Sequence, residues 1–266
     1  MSSRRIALFS DVHGNLPALD AVLEDVGAHG ISEVYCLGDL VGYGPDPAGV
    51  IDRVRDLGIP TIRGNYDDGI GNRSGDCGCY YATDQAKADG AASYDFTDAA
   101  LEDRDHAWLA ALPDSLRLSE GHVRVLLAHG SPRKINEYLL PDRPESQLVR
   151  LAEKAGADVV CIGHVHVPYH RSIASSTGDC IHYVNGGSVG KPRDGDPRAC
   201  WVEVILGREG ETRPAAPDDG ALAPVGSGDV WLGVLVHRVD YDVESVARAM
   251  LTAGLPETLV DALRAG

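Results

Sequence analysis

Five short fragments carry side chains suited to holding metal ions: Asp11-Val-His13-Gly-Asn, Gly38-Asp39-Leu-Val-Gly42, Gly64-Asn65-Tyr66-Asp67, His129-Gly-Ser-Pro and Gly163-His164-Val-His166. Carboxylate oxygen, amide oxygen and imidazole nitrogen are the donors that first-row ions accept, and a carboxylate can bridge two ions. Seven such groups, Asp11, His13, Asp39, Asn65, His129, His164 and His166, suit two metals. Any one fragment is weak evidence, since a lone His129 reads equally as an interior histidine bonded to its neighbours. Five in order, each following an expected strand, are specific, and the glycines beside them let the backbone turn sharply enough to bring the donors close.

The elements that must position these groups follow from hydrophobic patterning. Ile6 to Ser10 reads as a strand, Gly14-Asn15 as a turn and Pro17 to Val26 as a helix. The pattern repeats, with a strand over Glu33 to Leu37, a helix over Asp46 to Leu57 and a third strand over Pro60 to Arg63. Such alternation implies a mainly parallel sheet with right-handed crossovers, and open α/β sheets place their sites outside the carboxyl ends of the strands. Residues 67–84 show no period and read as a long functional loop. Helical spacing resumes over Gln85 to Ser93 and Asp98 to Leu112. Strands over Val123 to Ala128, Asp158 to Ile162, Cys180 to Val184 and Arg198 to Leu206, with a helix over Pro144 to Ala155, make a second sheet available. The expected organisation is one main domain over 1–206, a Pro-, Gly- and Asp-rich flexible linker or loop over 207–229, and a C-terminal part over 230–266 packing on the same domain. That part holds a strand over Trp231 to Val239 and two short helices over Val243 to Arg264.

Composition narrows the function. The formal charge is −16, from 40 acidic against 24 basic side chains, which argues against a broad positive surface for duplex nucleic acid. A bound phosphate must then meet local positive charge, and metal ions supply it without any basic surface. No run approaches the roughly 20 apolar residues that span a bilayer, and the apolar stretch before Asp11 is short for a signal peptide, so a cytoplasmic protein without membrane contact is expected. Six scattered cysteines read as reduced thiols, with Cys36 and Cys161 in the core.

On these five motifs the sequence resembles the calcineurin-like metallophosphoesterase superfamily, and within it the small bacterial and archaeal phosphodiesterase branch. The resemblance covers about Ile6 to Leu206. It implies a four-layer α/β/β/α sandwich of two mixed sheets with a dinuclear site at strand ends. One metal would fall to Asp11, His13, Asp39 and His166, and the other to Asp39, Asn65, His129 and His164, with Asp39 bridging. The mixed donors admit manganese, iron, zinc, cobalt or nickel without choosing among them. The implied reaction is attack of a metal-bridging hydroxide on a phosphate ester, with no protein nucleophile. Asp39, Asn65, Tyr66 and Asp67 are the catalytic candidates. Tyr66 stands where the commonest superfamily pattern has a histidine. A phenol of ordinary pKa about 10 is the weaker acid, so Tyr66 reads either as a proton or hydrogen-bond donor or as packing beside Asn65.

For substrate contacts the candidates are Asn15, Arg133, Asn185, Ser188 and Lys191, with Arg193 beside the last able to pair instead with Asp194 or Asp196. Cys77-Gly-Cys79 lacks the spacing and partner pair of structural zinc. Its loop is expected to cover the metal edge, with Tyr80 and Tyr81 available to stack on a ring or to pack in the core. A phosphodiesterase acting on a small or nucleotide-like ester leads, because the ligand set is complete and the histidine after Gly-Asn is missing. A phosphomonoesterase or protein phosphatase comes second. A non-catalytic scaffold of the same fold is third, and such a protein would be expected to lose ligands that this chain retains.

Overall fold

Strand β1 (Arg4–Phe9) sets the layering, because alternate side chains of a strand face opposite ways. Ile6 and Leu8 enter one apolar core and Ala7 and Phe9 another, all four fully buried. The structure, a computed structural model, describes residues 3–208, 211, 222–225 and 230–266. Residues of 207–229 other than 207, 208, 211 and 222–225 lie outside the described ones.

Two five-stranded mixed sheets result. The first runs β2 (Val34–Cys36), β1, β8 (Ala199–Arg208), β10 (Val230–Val239) and β9 (Leu222–Val225). The second runs β3 (Ser115–Glu120), β4 (Val123–Ala128), β5 (Val159–Ile162), β7 (Cys180–Asn185) and β6 (Tyr169–Ala174). The expectation of a mainly parallel sheet is corrected: β1 pairs in parallel only with β2, and β8, β10 and β9 join antiparallel. Residues 60–63 form no strand, only a bridge from Thr61 to Cys36. Leu222–Val225, inside the stretch read as a linker, is a strand on β10. Strands β3 and β6 were also unanticipated.

Three apolar cores separate four layers. The central one packs sheet on sheet, Val202 and Val204 of β8 against Val125 and Leu127 of β4 and Val159 of β5. Outside the first sheet lie α1 (Leu16–Ala28), α2 (Pro47–Asp56), α3 (Asn65–Gly71), α4 (Asp84–Ala100), α5 (Asp103–Ala110), α7 (Val243–Thr252) and α8 (Glu257–Ala265). Outside the second lies α6 (Glu145–Ala155), whose Leu148, Leu151 and Ala152 meet Leu126 and Val160. This is the α/β/β/α sandwich.

Helix starts follow local chemistry. Asn15 caps α1 by accepting from the Ala18 amide, Asp46 caps α2 through Gly49, and each helix carries a proline in its first turn. Part of the long loop expected over 67–84 belongs to helix instead, since α3 begins at Asn65 and ends at Gly71. Its Gly71 sits so close to Ala110 of α5 that a Cβ there would collide with the backbone. The reading of six free thiols is corrected at one pair: Cys77 and Cys79 are joined by a disulfide, and the free cysteines are Cys36, Cys161, Cys180 and Cys200. Among the described residues no helix is long and apolar enough to cross a membrane.

Candidate metal centre

Asp11, Asp39, His129 and His164 each follow the end of a strand, β1, β2, β4 and β5 respectively, so the topology gathers them at one edge of the sandwich. The backbone there is unusual. Asp11, His13, Asp39, His164 and His166 all have positive φ, between 49° and 65°. Left-handed backbone at residues other than glycine costs on the order of 1 kcal/mol or more each. Five such residues amount to roughly 5 kcal/mol, comparable to the net stability of a small domain. Folding alone would not select that cost, and its concentration on five of the seven candidate ligands marks the edge as functional.

The side chains form two buried groups whose donor atoms could each hold an ion: Asp11, His13 and His166, and Asp39, His129 and His164. In the first, His166 Nε2 lies 3.1 Å and His13 Nε2 3.7 Å from Asp11 Oδ1. In the second, His129 Nε2 lies 3.4 Å from Asp39 Oδ2 and 3.1 Å from Asn65 Oδ1. Asp39 Oδ2 is also 3.8 Å from His13 Nε2, so this oxygen stands between the groups.

Three of the four imidazoles are oriented by the main chain. The Nδ1–H of His13 donates to Val41 O at 2.9 Å, that of His129 to Leu37 O at 2.8 Å and that of His166 to Lys191 O at 2.5 Å. A carbonyl can only accept, so each of these Nδ1 atoms carries a proton; at His13 and His166 the Nε2 lone pair faces the site, the arrangement that holds metal-binding histidines, while at His129 Nε2 also carries a proton, held toward Asn65 Oδ1 and Asp39, which a metal would displace. The carboxylates are held likewise: Asp11 Oδ2 accepts from the His164 amide and Asp39 Oδ1 from the Tyr66 amide. Two buried atoms of the site, Asp11 Oδ1 and His164 Nε2, have no hydrogen-bond partner among the described residues. Leaving a buried polar atom unpaired costs about 1–3 kcal/mol, and a cation would satisfy both. The donor set therefore fits divalent metal.

Charge supports the fit. Burial lowers His13 and His164 to about 3, keeping them neutral. Burial also opposes charge on His129, yet Asp39 and Asp11 raise it to about 10, and the field that draws a proton there would draw a cation. Burial disfavours ionised Asp11, but His166, His129 and His13 together hold its carboxyl below the usual range.

The remaining candidates fall into distinct places. Asp67 is buried and accepts three backbone amides, from Asp39, Leu40 and Gly64, which braces the Asp39 turn against the start of α3. Gly64 has no room for a Cβ beside Asp39. Tyr66 is buried beneath Gly42 with its ring 5.6 Å from that of His13 and its hydroxyl 3.4 Å from Ser93 Oγ. Asn15, Asn185 and Ser188 are buried with their polar atoms already bonded. Asn15 Oδ1 caps α1 and its amide donates to Gly190 O and Tyr241 Oη. Asn185 spans Gly163 O and the Gly187 amide. Ser188 donates to Asp11 O and accepts from the Lys191 amide. Lys191 places its ammonium 4.6 Å over the Tyr43 ring. Arg133 pairs with Glu137 at 2.6 Å and does not line the cleft.

A narrow cleft leads to the donors, walled by Tyr43, Tyr66, Cys79, Tyr138 and Arg193. Arg193 has no ion pair among the described residues, because Asp194 goes to Arg238 and Asp196 to Arg198. Tyr138, its ring 4.1 Å from that of His164, escaped the sequence reading because nothing in its spacing marks it. Tyr43 follows Gly42 directly and extending that motif by one residue would have found it. Cys79 does reach the cleft, accepting from the Asn65 amide, whereas Tyr80 is exposed and Tyr81 bonds Cys77 Sγ.

The chain belongs to the calcineurin-like phosphoesterase superfamily, whose model matches residues 5–205. It is 30% identical over its whole length to the whole of the uncharacterized protein MJ0912 of Methanocaldococcus jannaschii. It is 26% identical to the phosphodiesterase YfcE of Escherichia coli over 203 residues, 73% of this chain and 83% of that one. A metallophosphoesterase from Sphaerobacter thermophilus matches in structure with a TM-score of 0.69 at 29% identity, covering all of both chains. The protein PH1004 from Pyrococcus horikoshii, 21% identical with a TM-score of 0.71 over 99% of this chain and 98% of its own, shares the fold. The family is one of hydrolases that act on phosphoesters with divalent metals.

Proposed function

We propose that this protein is a two-metal phosphodiesterase that hydrolyses a small or nucleotide-like phosphate ester. The observation that carries the reading is the inward convergence of imidazole Nε2 atoms and carboxylate oxygens in two groups around Asp39, with buried Asp11 Oδ1 and His164 Nε2 left unbonded. Asp11, His13, Asp39 and His166 would hold one ion, and Asp39, Asn65, His129 and His164 the other. When bound, the pair supplies hydroxide from a shared water near neutral pH and offsets charge on the phosphoryl oxygens.

The chain's own residues do the rest. The strand-end turns fix the donors before substrate arrives, so little reorganisation is needed. Arg193, unpaired at the cleft wall, takes a phosphoryl oxygen or a second substituent. Tyr138 and Tyr43 narrow the cleft and offer ring faces to a nucleobase or other planar group. Tyr66 acts through its ring, since its hydroxyl faces Ser93 and burial keeps the phenol protonated far above its ordinary pKa. Asp67 positions the Asp39 turn and touches no substrate. The diester preference is supported by the missing histidine after Gly64-Asn65 and by the name of the E. coli relative.

The test is hydrolysis of paired activated monoester and diester substrates by metal-stripped protein reconstituted in turn with manganese, iron, zinc, cobalt and nickel, beside metal counts per chain. Two ions with faster diester cleavage are expected. Faster monoester cleavage would make the protein a phosphomonoesterase, and failure to take up metal would leave a scaffold.

A further inference from the structure

The second sheet has five strands spaced about 4.8 Å apart, so it is nearly 20 Å wide, yet α6, about 10 Å across, is the helix that covers its outer face. Among the described residues none covers the outer face of β3, where Ser115, Arg117 and Ser119 are exposed. Its sequence alternates, Leu116 and Leu118 packing inward while Ser115 and Arg117 point out. Between β3, α6 and the turn after His129 lies a groove of about 580 Å³, floored by Leu126, Ala128 and Leu151. Arg63, Arg117, Arg133, Lys134 and Lys154 line it. A second hollow of about 270 Å³ continues it along α6, sharing Arg133 and Lys154 and adding Arg143 and Arg150.

These seven cations sit on a chain with a formal charge of −16. Facing them are Asp68 and Asp114, both paired to Arg63, and Glu137, which takes Arg133 and Arg143. Three carboxylates against seven cations leave four positive charges uncancelled. Lys134, Arg150 and Lys154 make no ion pair among the described residues. Neighbouring like charges repel, and an acidic chain has ample carboxylates to disperse among them, so the concentration calls for an anion from outside. No Phe, Tyr or Trp lines either hollow among the described residues, and the one imidazole, His129, is buried, so no exposed ring is offered to a nucleobase. The guanidinium forks and ammonium groups suit phosphate oxygens.

We propose that this groove is a binding site, separate from the metal centre, for a linear multiply phosphorylated anion, whether inorganic polyphosphate or the phosphate tail of a nucleotide. His129 is the one candidate metal ligand among its lining residues, and its side chain is buried. Arg133, which sequence reading offered to the metal-bound substrate, belongs to this second site instead.

The experiment is calorimetric titration of the full-length protein with inorganic tripolyphosphate, repeated on Asp39→Asn and on the charge-reversed double variant Arg150→Glu with Lys154→Glu. Saturable binding is expected in the wild type and in Asp39→Asn, weakening with added salt, and at least tenfold weaker in the double variant. The double variant should cleave the activated diester at the wild-type rate, which keeps the groove distinct from the hydrolytic site. Adenosine triphosphate at matched charge distinguishes the sources, equal affinity pointing to the phosphate chain alone and tighter affinity to a nucleotide tail. No binding, binding lost in Asp39→Asn, or binding unchanged by the double variant would overturn the proposal. So would tighter binding of a single-stranded thymidine oligonucleotide than of tripolyphosphate, which would assign the groove to nucleic acid.

Discussion

The Nε2 atoms of His13 and His166 face each other at 3.2 Å while both Nδ1 protons are engaged by backbone carbonyls. Two lone pairs at that distance repel, and the arrangement becomes favourable once a cation lies beside both. On the proposed two-metal reading, His166→Ala should therefore lower metal content by about one ion per chain and reduce turnover about 100-fold or more, with thermal stability of the metal-free protein nearly unchanged. Elemental analysis beside steady-state rates checks this. Full metal content in the variant would remove His166 from the ligand set.

Asp39 and Asp67 lie in one buried turn system, and turnover, more than stability, should separate them when each is made neutral. Asp67 accepts three amides, so Asp67→Asn turns an NH2 toward backbone donors and should destabilise metal-free protein by about 2 kcal/mol. Asp39 is the carboxylate that raises buried His129, so Asp39→Asn strips that imidazole of its partner and should also destabilise the metal-free protein, while removing most turnover even where the protein is fully folded. Urea unfolding in the presence of chelator, beside turnover measured well below each unfolding transition, separates the two. Unchanged stability in Asp67→Asn would mean that Asp67 is not the brace of this turn.

The candidate metal centre was legible because ligation restricts residue type: few sequences place Asp-x-His, Asp, Asn, His and His-x-His at successive turns by chance. The layers were legible wherever strands alternate or run apolar, as in β4 and β5. What escaped depended on geometry that spacing does not encode. Asn15, Asn185 and Ser188 lie beside the motifs and could have met a phosphate, but their polar atoms are consumed by backbone groups brought in from distant residues, such as Gly190 O and Asp11 O. Strand β3 is half polar because one of its faces is open to solvent, and α3 is Gly-rich because it packs closely on α5. The Cys77–Cys79 bond joins residues whose spacing gave no disulfide framework.

Arg193 is the unpaired cation of the cleft, and its effect should fall on substrate binding. Arg193→Ala is expected to raise KM roughly tenfold for a diester, equivalent to losing one charge-assisted hydrogen bond of about 1.4 kcal/mol, and to change kcat less than threefold. Metal content should stay at the wild-type level. A fall in kcat without change in KM would place its role in the transition state.

Glu203, in the middle of β8, is buried, and burial alone would raise its carboxyl. The His237 imidazole at 3.4 Å and the bonded Arg5 guanidinium more than offset this and lower it to about 2. An unfolded glutamate titrates near 4.3. The native state thus binds this proton more weakly than the unfolded state, so its stabilisation is complete above about pH 5 and is lost as pH falls toward 2. A displacement of about two units corresponds to roughly 3 kcal/mol, and because Arg5 is 40% exposed, solvent screening reduces the expected value to about 2 kcal/mol. Glu203→Gln should therefore unfold at lower urea than the wild type at pH 7, with chelator present, and the gap should narrow by about a third at pH 3.5. A gap that stays constant between those pH values would show that Glu203 stabilises β8 by packing and hydrogen bonding that do not depend on its charge.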